Sequence, residues 1–189
     1  MKPLLTERLV IRNWEASDRP LFHLINSDEQ VMEFYPFRRS RAESDEIFDT
    51  WHREIADTGL GGFALALRDG GECIGYCGLK YPRVEPFLPE DAVEIGWRLA
   101  PRFWGSGYAT EAAERLLEYG FDTVGLPEIV SFAVAMNHRS TAIMERLGFR
   151  RDAAGDFDHP RVPDTHPHLK RHVLYRLSAQ DWRQRKRAD

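Results

Sequence analysis

A pair of glycines past the middle of the chain is the feature best suited to bind a charged ligand. Gly105 and Gly107 stand in the segment Arg-Phe-Trp-Gly-Ser-Gly-Tyr-Ala, between a hydrophobic stretch and a strongly helical one. Glycines in a strand-to-helix turn let the backbone approach a ligand without side chains in the way. The amides of such a turn, with the N-terminus of the next helix, bind phosphate or pyrophosphate groups. The sequence therefore predicts a site for a phosphorylated cofactor.

Three kinds of turn compete for this segment. A Walker-type P-loop requires a lysine after its last glycine, and none stands here. A dinucleotide-binding fingerprint requires a third glycine, where Thr110 stands, and an N-terminal βαβ unit, whereas this turn lies past the middle of the chain. A purely structural turn is the third alternative, because two spaced glycines alone are a weak signal.

Histidines and carboxylates crowd a late polar segment, residues 156–171, and the strand that follows it. The side chains are those of His159, His166, His168, His172, Asp156, Asp158 and Asp164. Histidine and carboxylate groups suit zinc, but their spacing matches no zinc motif, and three prolines stiffen the segment. We interpret it as a loop that controls access of a substrate and expect no metal.

The elements that must position these groups alternate between strands and helices. A capping-box signature, Ser40-Arg-Ala-Glu43, predicts the start of a helix that runs to about residue 57. Hydrophobic periodicity predicts the others: strands at 4–12, 63–67, 73–81, 92–99, 129–135 and 172–177, and helices at 16–26, 109–123, 140–147 and after 178. This order predicts an α+β protein with an antiparallel front half and a strand–helix–strand back half, in a single domain over residues 1–189.

Composition narrows the classes of function. Hydrophobic residues make up 42% and charged residues 30% of the chain, and the net charge is −4. These values are typical of a soluble globular protein and speak against nucleic acid as a partner. The sequence holds no apolar run of about 18 residues and no signal-peptide pattern at its start, so we expect a cytoplasmic protein without a membrane partner.

The two cysteines, Cys73 and Cys77, are four residues apart in a predicted strand. Their side chains then point to the same face but lie roughly 13 Å apart along the strand, which is too far for a disulfide. We expect two free thiols.

Several motifs together resemble one known family. The segment Arg102-x-x-Gly-x-Gly-x-Ala109 resembles the acyl-CoA signature of the GNAT superfamily of N-acetyltransferases. The stretch from Asn137 to Phe149, which reads NHRSTAIMERLGF, resembles the second motif of that superfamily. The opening LLTERLVIRNW and the strand EIGWRL resemble the branch of the ribosomal-protein N-terminal acetyltransferases RimJ and RimL. The resemblance covers nearly the whole chain in the expected order.

The resemblance implies a fold and a cosubstrate, acetyl-CoA. The fold is a mixed, mostly antiparallel sheet of about seven strands with flanking helices and a splayed central pair of parallel strands. The pantetheine arm would pair with backbone near 97–99 and 129–135, and the pyrophosphate would lie on the amides of 103–109. Asn137 would hydrogen-bond the pantetheine or cap a helix. The implied cofactor-binding residues are Trp97, Arg98, Leu99, Arg102, Trp104, Gly105, Ser106, Gly107, Tyr108, Ala109, Asn137 and Met144.

The reaction that the resemblance implies is direct attack of an amine on the thioester in a ternary complex. A base must accept the proton of the amine, and Glu94 is the candidate; the alternative is a charge on a solvent-facing strand. Met144 stands where the superfamily often has a tyrosine proton donor, so Ser140 is the candidate donor; the alternative is a helix cap.

The sequence defines the binding site of the acceptor amine less well than that of the cofactor. In such enzymes the segment that holds Phe34, Tyr35 and Phe37 lines the acceptor pocket, although aromatic residues also pack into cores. The acceptor is a protein N-terminal amine or a small-molecule amine, and a homodimer is common in this branch. Two other interpretations remain open: a catalytically silent acyl-CoA-binding regulatory module, and an unrelated nucleotide-binding domain.

Overall fold

Strands and helices follow the predicted order in the computed structural model, which describes residues 2–188. The strands are β1 (Leu4–Leu5), β2 (Leu9–Arg12), β3 (Gly61–Leu67), β4 (Cys73–Lys80), β5 (Glu94–Leu99), β6 (Glu128–Val134), β7 (Arg150–Arg151), β8 (Phe157–Asp158) and β9 (Arg171–Ser178). The α-helices are α1 (Arg19–Ser27), α2 (Arg41–Thr58), α3 (Tyr108–Glu118), α4 (His138–Arg146) and α5 (Ala179–Ala188). The mixed, mostly antiparallel α+β fold is confirmed, with three two-residue strands beyond the longer ones.

Two compact units divide the chain. The first unit holds residues 2–79 and 96–116, and the second unit holds residues 80–95 and 117–188. Strand β5 passes from the second unit into the first after Ile95. The single domain over 1–189 stays a prediction.

In the first unit the strands follow one another in the order β1-β2-β3-β4, each antiparallel to the one before it. The predicted single strand at 4–12 is wrong, because the chain makes a hairpin there. The Thr6 hydroxyl accepts a hydrogen bond from the Leu9 amide (2.8 Å), which draws the backbone into a turn. The rings of Trp14, Phe22 and Phe48 pack edge-on or tilted behind this sheet, with centroids 4.7–5.6 Å apart.

The helix ends follow local signals. The capping box of α2 is confirmed, with the Ser40 amide donating to Glu43 and the Glu43 amide to Ser40. The helix ends at Gly59, whose φ of 72° is the left-handed conformation that glycine accepts. Helix α3 continues through a π-helical turn, Tyr119–Val124. Among residues 2–188, no helix is both long and apolar enough to cross a membrane.

The second unit is built on β9. Strand β6 runs antiparallel to β9 over seven residue pairs, and the short strands β7 and β8 also pair with β9. Its buried apolar cluster consists of Val84, Leu88, Val130, Phe157 and Leu174. Phe157 is the second residue of the segment 156–171 that is predicted as a polar loop, and the prediction is wrong at Phe157–Asp158, where β8 forms.

Candidate functional site

The glycine turn joins β5 to α3 in the first unit. Gly105 and Gly107 have φ angles of 75° and 81°, in the left-handed region, and both are exposed. A Cβ at Gly105 would meet no atom within 4 Å. The predicted strand–turn–helix arrangement is confirmed, and its backbone is open to a ligand.

Two residues of the β1–β2 hairpin hold this turn from one side. The Arg8 guanidinium donates to the Ser106 carbonyl (Nη1 to O, 2.9 Å) and to Glu111 in the first turn of α3 (Nε to Oε2, 2.7 Å). The Thr6 hydroxyl also donates to Glu111 (2.5 Å). The Arg8 guanidinium lies 4.5 Å from the centroid of the Tyr108 ring. Sequence reasoning did not identify these two hairpin residues.

The predicted cofactor residues that flank the turn make contacts of their own. Arg102 is exposed and forms an ion pair with Glu72. The Trp104 indole donates to the Leu99 carbonyl (2.8 Å), so that carbonyl already has a donor. Trp97 and Ala109 are half-buried.

The Arg98 side chain points to the N-terminal part of the first unit. Its Nη1 donates to the Asn26 side-chain oxygen (2.7 Å) and to the Ile25 carbonyl (3.3 Å), and the guanidinium lies 4.3 Å from the centroid of the Tyr35 ring. Because these partners hold the guanidinium, only the backbone of Arg98 is left for its predicted contact with the cofactor.

The predicted acceptor residues divide by exposure. Tyr35 is 39% and Phe37 43% exposed, whereas Phe34 is half-buried. The Arg39 guanidinium lies 4.6 Å from the centroid of the Phe37 ring. The alternative that all three aromatics pack into the core is therefore wrong for Tyr35 and Phe37.

Glu94, the first residue of β5, lies in the second unit and is only 9% exposed. Burial raises the pKa of this carboxyl, and the positive charges of Lys80 and Arg161 oppose that rise. The Lys80 ammonium is 3.9 Å from Oε2 of Glu94, and the Arg161 guanidinium donates to the Pro82 carbonyl (3.0 Å). The alternative of a solvent-facing charge is wrong, because the side chain is buried.

Strands β5 and β6 pair in parallel, with Glu94 opposite Val130. The Val130 amide donates to the Val93 carbonyl (2.9 Å). At the next residue the Ser131 hydroxyl, a side-chain group, donates to the Ile95 carbonyl (2.9 Å). Within the second unit, a side chain thus binds β5 at the point where the registered pairing ends.

Asn137 and Ser140 stand at the start of α4. The Asn137 side-chain oxygen accepts a hydrogen bond from the Ser140 amide (3.1 Å), so Asn137 is the N-cap. The capping alternative for Ser140 is wrong, since Ser140 contributes its backbone amide to this cap and not its hydroxyl. Met144 is buried in the same helix, at 1% exposure. The chemical roles of all three stay predictions.

His159 of the late segment and His172 of β9 pack against each other with tilted rings, beside two phenylalanine rings. The rings of His159 and His172 are 4.8 Å apart between centroids, and each lies about 6 Å from the rings of Phe157 and Phe132. Burial lowers the pKa of His159 to about 4 and also lowers the pKa of His172, so both are neutral at pH 7. Within residues 2–188, no group of three or more His, Cys, Asp or Glu side chains is arranged to bind a metal.

Both cysteines are free, as predicted, with Cys77 buried and Cys73 half-buried. Burial raises the pKa of Cys73 to about 12 and raises the pKa of Cys77 as well. A thiol needs its thiolate form to act as a nucleophile, so neither cysteine is suited to that role at neutral pH.

Comparison with known proteins gives one consistent family. Residues 8–150 match the family model described as "Acetyltransferase (GNAT) domain". The chain is 31% identical to "Uncharacterized N-acetyltransferase YnaD" of Bacillus subtilis over 79% of this chain and 83% of that protein. It is 29% identical to B. subtilis YdaF, provisionally named a ribosomal N-acetyltransferase, over 94% and 95% of the two chains. A crystal structure of a GNAT-family acetyltransferase from Bacillus anthracis superposes with a TM-score of 0.76 at 26% identity, over 94% of this chain and 99% of that one.

Proposed function

Because the chain belongs to the GNAT family of acetyl-CoA-dependent N-acyltransferases, we propose that it transfers the acetyl group directly to a primary amine in a ternary complex. The observation that carries this proposal is the buried carboxylate of Glu94, whose pKa is raised above its ordinary value. Such a carboxylate is a stronger base than an exposed one, and amine attack requires a base.

The residues of the glycine turn fit the pyrophosphate of acetyl-CoA. The turn is exposed, both glycines are left-handed, and the space beside Gly105 is open. The predicted role of the Phe103 and Trp104 amides is wrong, because they donate to the Ala100 and Pro101 carbonyls (3.0 Å each), so the amides of 105–109 are the ones that would bind phosphate oxygens. Backbone groups of Trp97 and Arg98 and the side-chain NH2 of Asn137 would bind the pantetheine arm, since the Leu99 carbonyl and the Asn137 backbone amide are already hydrogen-bonded and Met144 is buried. Bound acetyl-CoA supplies the activated acyl group, and the residues of this chain orient it.

Glu94 would take the proton that the amine loses as it attacks. Its burial disfavours the ionised form, while Lys80 and Arg161 stabilise it. These opposed influences keep a carboxylate that is both ionisable and basic, which is the combination that a general base needs.

Ser140 would donate a proton to the departing thiolate. Its amide is held by Asn137, which fixes the first turn of α4 while the hydroxyl takes no part in the cap. We expect Ser140→Ala to lower kcat about tenfold or more, since general acids contribute at least about a hundredfold when fully effective. Thr141→Val is the matched control, because the Thr141 hydroxyl is bound to the His138 carbonyl (3.3 Å). An unchanged kcat for Ser140→Ala would remove the serine from the mechanism.

We place the acceptor amine beside Phe34, Tyr35 and Phe37. The exposed rings of Tyr35 and Phe37, which Arg98 and Arg39 contact, offer apolar contacts to a small molecule or to a protein N-terminus. A silent acyl-CoA-binding module is the second candidate, favoured by one observation: buried Met144 cannot donate a proton in the place of the usual tyrosine.

Thermal unfolding with acetyl-CoA, CoA, ATP and NAD at one concentration tests the cofactor. A ligand at a hundred times its Kd adds about 2.7 kcal/mol to the free energy of unfolding. We expect a shift with acetyl-CoA and CoA alone, followed by acetyl transfer in a panel of peptides with free N-termini, polyamines and small amines. A higher Tm with acetyl-CoA and CoA but no transfer to any amine would favour the silent acyl-CoA-binding module. A higher Tm with ATP or NAD alone would overturn both the enzyme and the silent module.

A further inference from the structure

Arg8 makes a dense set of contacts with the glycine turn and the start of α3. Its Nη1 donates to the Ser106 carbonyl (2.9 Å), and its Nε and Nη2 bind Glu111 (2.7 and 2.6 Å). Its backbone amide also donates to Glu111 (2.8 Å), and its guanidinium lies over the Tyr108 ring. A Cβ at Gly107 would be 3.4 Å from Nη2 of Arg8, so the guanidinium lies directly against the turn.

The bond to the Ser106 carbonyl fixes one peptide group. In a trans peptide the C=O of one residue and the N–H of the next point in opposite directions. Because Arg8 binds the Ser106 oxygen, the Gly107 N–H points away from Arg8. A glycine peptide with a positive φ flips readily when nothing holds it, and this bond opposes that flip.

Glu111 fixes Arg8 in turn. Its carboxylate binds the Thr6 hydroxyl and both the backbone and the side chain of Arg8, and only 17% of the Glu111 side chain is exposed. The planar guanidinium can bind a carboxylate with two nitrogens and a carbonyl with a third, which a lysine cannot do. One side chain thus ties the hairpin, the turn and the helix together.

We infer that Arg8 is a positioning residue for the pyrophosphate of acetyl-CoA, acting by holding the Ser106–Gly107 peptide with its N–H toward the ligand. The inference rests on the proposed function, because it needs acetyl-CoA as the ligand of the turn. The role that we assign to Arg8 concerns only the binding of the phosphate groups of acetyl-CoA. Shorter donors that lack the pyrophosphate do not need Arg8.

The test compares acetyl-CoA with acetyl-pantetheine, which carries the same thioester but no pyrophosphate. We expect Arg8→Gln to raise the KM for acetyl-CoA about tenfold, the equivalent of about 1.4 kcal/mol, and to leave kcat/KM for acetyl-pantetheine unchanged. Arg8→Lys should raise the KM for acetyl-CoA nearly as much as Arg8→Gln does, because lysine lacks the planar set of nitrogens that binds the carboxylate and the carbonyl together. Arg68→Gln is the control, since Arg68 binds the Thr6 and Glu7 carbonyls of the same hairpin (2.9 and 3.3 Å) and leaves the turn untouched.

Equal losses with both donors would show a general structural role and overturn the inference. Full activity of Arg8→Lys would overturn it too, because charge alone would then suffice. If Arg8→Gln does not fold, Glu111→Gln tests the same point, because it weakens the contact that holds Arg8. It should raise the KM for acetyl-CoA and leave acetyl-pantetheine unaffected. Equal effects on the two donors would count against a positioning role of Arg8. Calorimetry can compare the binding of CoA and of pantetheine to the Arg8 variants even if no amine is acetylated. Failure of the proposed function is therefore distinguishable from failure of this inference.

Discussion

The glycine turn and the surroundings of Glu94 are built in opposite ways. The turn is exposed, and one charged side chain from a hairpin distant in sequence, that of Arg8, holds its backbone. Glu94, His159 and His172 are largely buried, and burial is the main cause of the shifts in their pKa values. Binding a phosphate requires accessible amides that do not move, whereas moving a proton requires a titratable group removed from water. The difference in burial therefore agrees with the roles that we propose, phosphate binding for the turn and proton transfer for Glu94.

Removal of the Glu94 carboxylate should have the largest effect. We expect Glu94→Gln to lower kcat by about a hundredfold or more, as loss of a general base does, with little change in the KM for acetyl-CoA. Glu90→Gln is the control, because Glu90 is an exposed carboxylate in the loop that precedes β5. Steady-state kinetics measures both, and near-normal kcat in Glu94→Gln would assign the base elsewhere.

The pH dependence of Glu94→Gln gives a second measure of the same group. The pKa of Glu94 is raised in the folded state, so its ionisation costs stability as pH rises through that pKa, and the cost is absent below the unfolded-state pKa. We therefore expect Glu94→Gln to have a higher Tm than the parent at pH 7 and an equal Tm near pH 4. A lower Tm at pH 7 would show that the ionised carboxylate stabilises the fold.

Gly105→Ala should disturb binding and leave chemistry intact. The φ of 75° costs a non-glycine residue about 1–2 kcal/mol, so we expect the KM for acetyl-CoA to rise about tenfold, by the same conversion of energy to affinity. Gly70 is a matched control in the β3–β4 hairpin, since its φ is 78° and its Cβ position is also open. Both variants should lose similar stability, and an equal rise in KM for Gly70→Ala would trace the effect to stability alone.

His159→Phe should make the protein more resistant to acid. The pKa of His159 is lowered to about 4 by burial, so its contribution to stability is present above the unfolded-state pKa of about 6.5 and is lost as pH falls toward about 4. Urea unfolding at pH 7 and at pH 4.5 should show a smaller loss for His159→Phe than for the parent. Parallel losses would mean that His159 is protonated alike in both states.

Arg102→Gln should have the smallest effect. Arg102 and Glu72 are at least half exposed, and such surface ion pairs contribute about 0–1 kcal/mol. A contact with a phosphate would raise the KM for acetyl-CoA about threefold in Arg102→Gln, whereas Glu72→Gln would not raise it. Equal KM values in the two variants would leave Arg102 a solvated surface residue.

Local signals in the sequence predicted the parts of the structure that depend on neighbouring residues. The capping box at Ser40 and the glycine turn lie within a few residues of the groups that they organise. The contact of Arg8 with Glu111 joins residues 103 positions apart, and no spacing rule predicts such a pair. The hairpin at 4–12 was missed because a single hydroxyl, that of Thr6, overrides the alternating pattern.

The two shielded cysteines make the chain a good host for a fluorescent reporter. At pH 7 Cys73 is almost entirely in its thiol form, because burial raises its pKa to about 12, and Cys77 is buried. A maleimide dye would therefore react selectively with a new cysteine at an exposed position such as Arg38, next to Phe37 in the chain. Emission from that position would report the arrival of candidate acceptors without any enzymatic turnover.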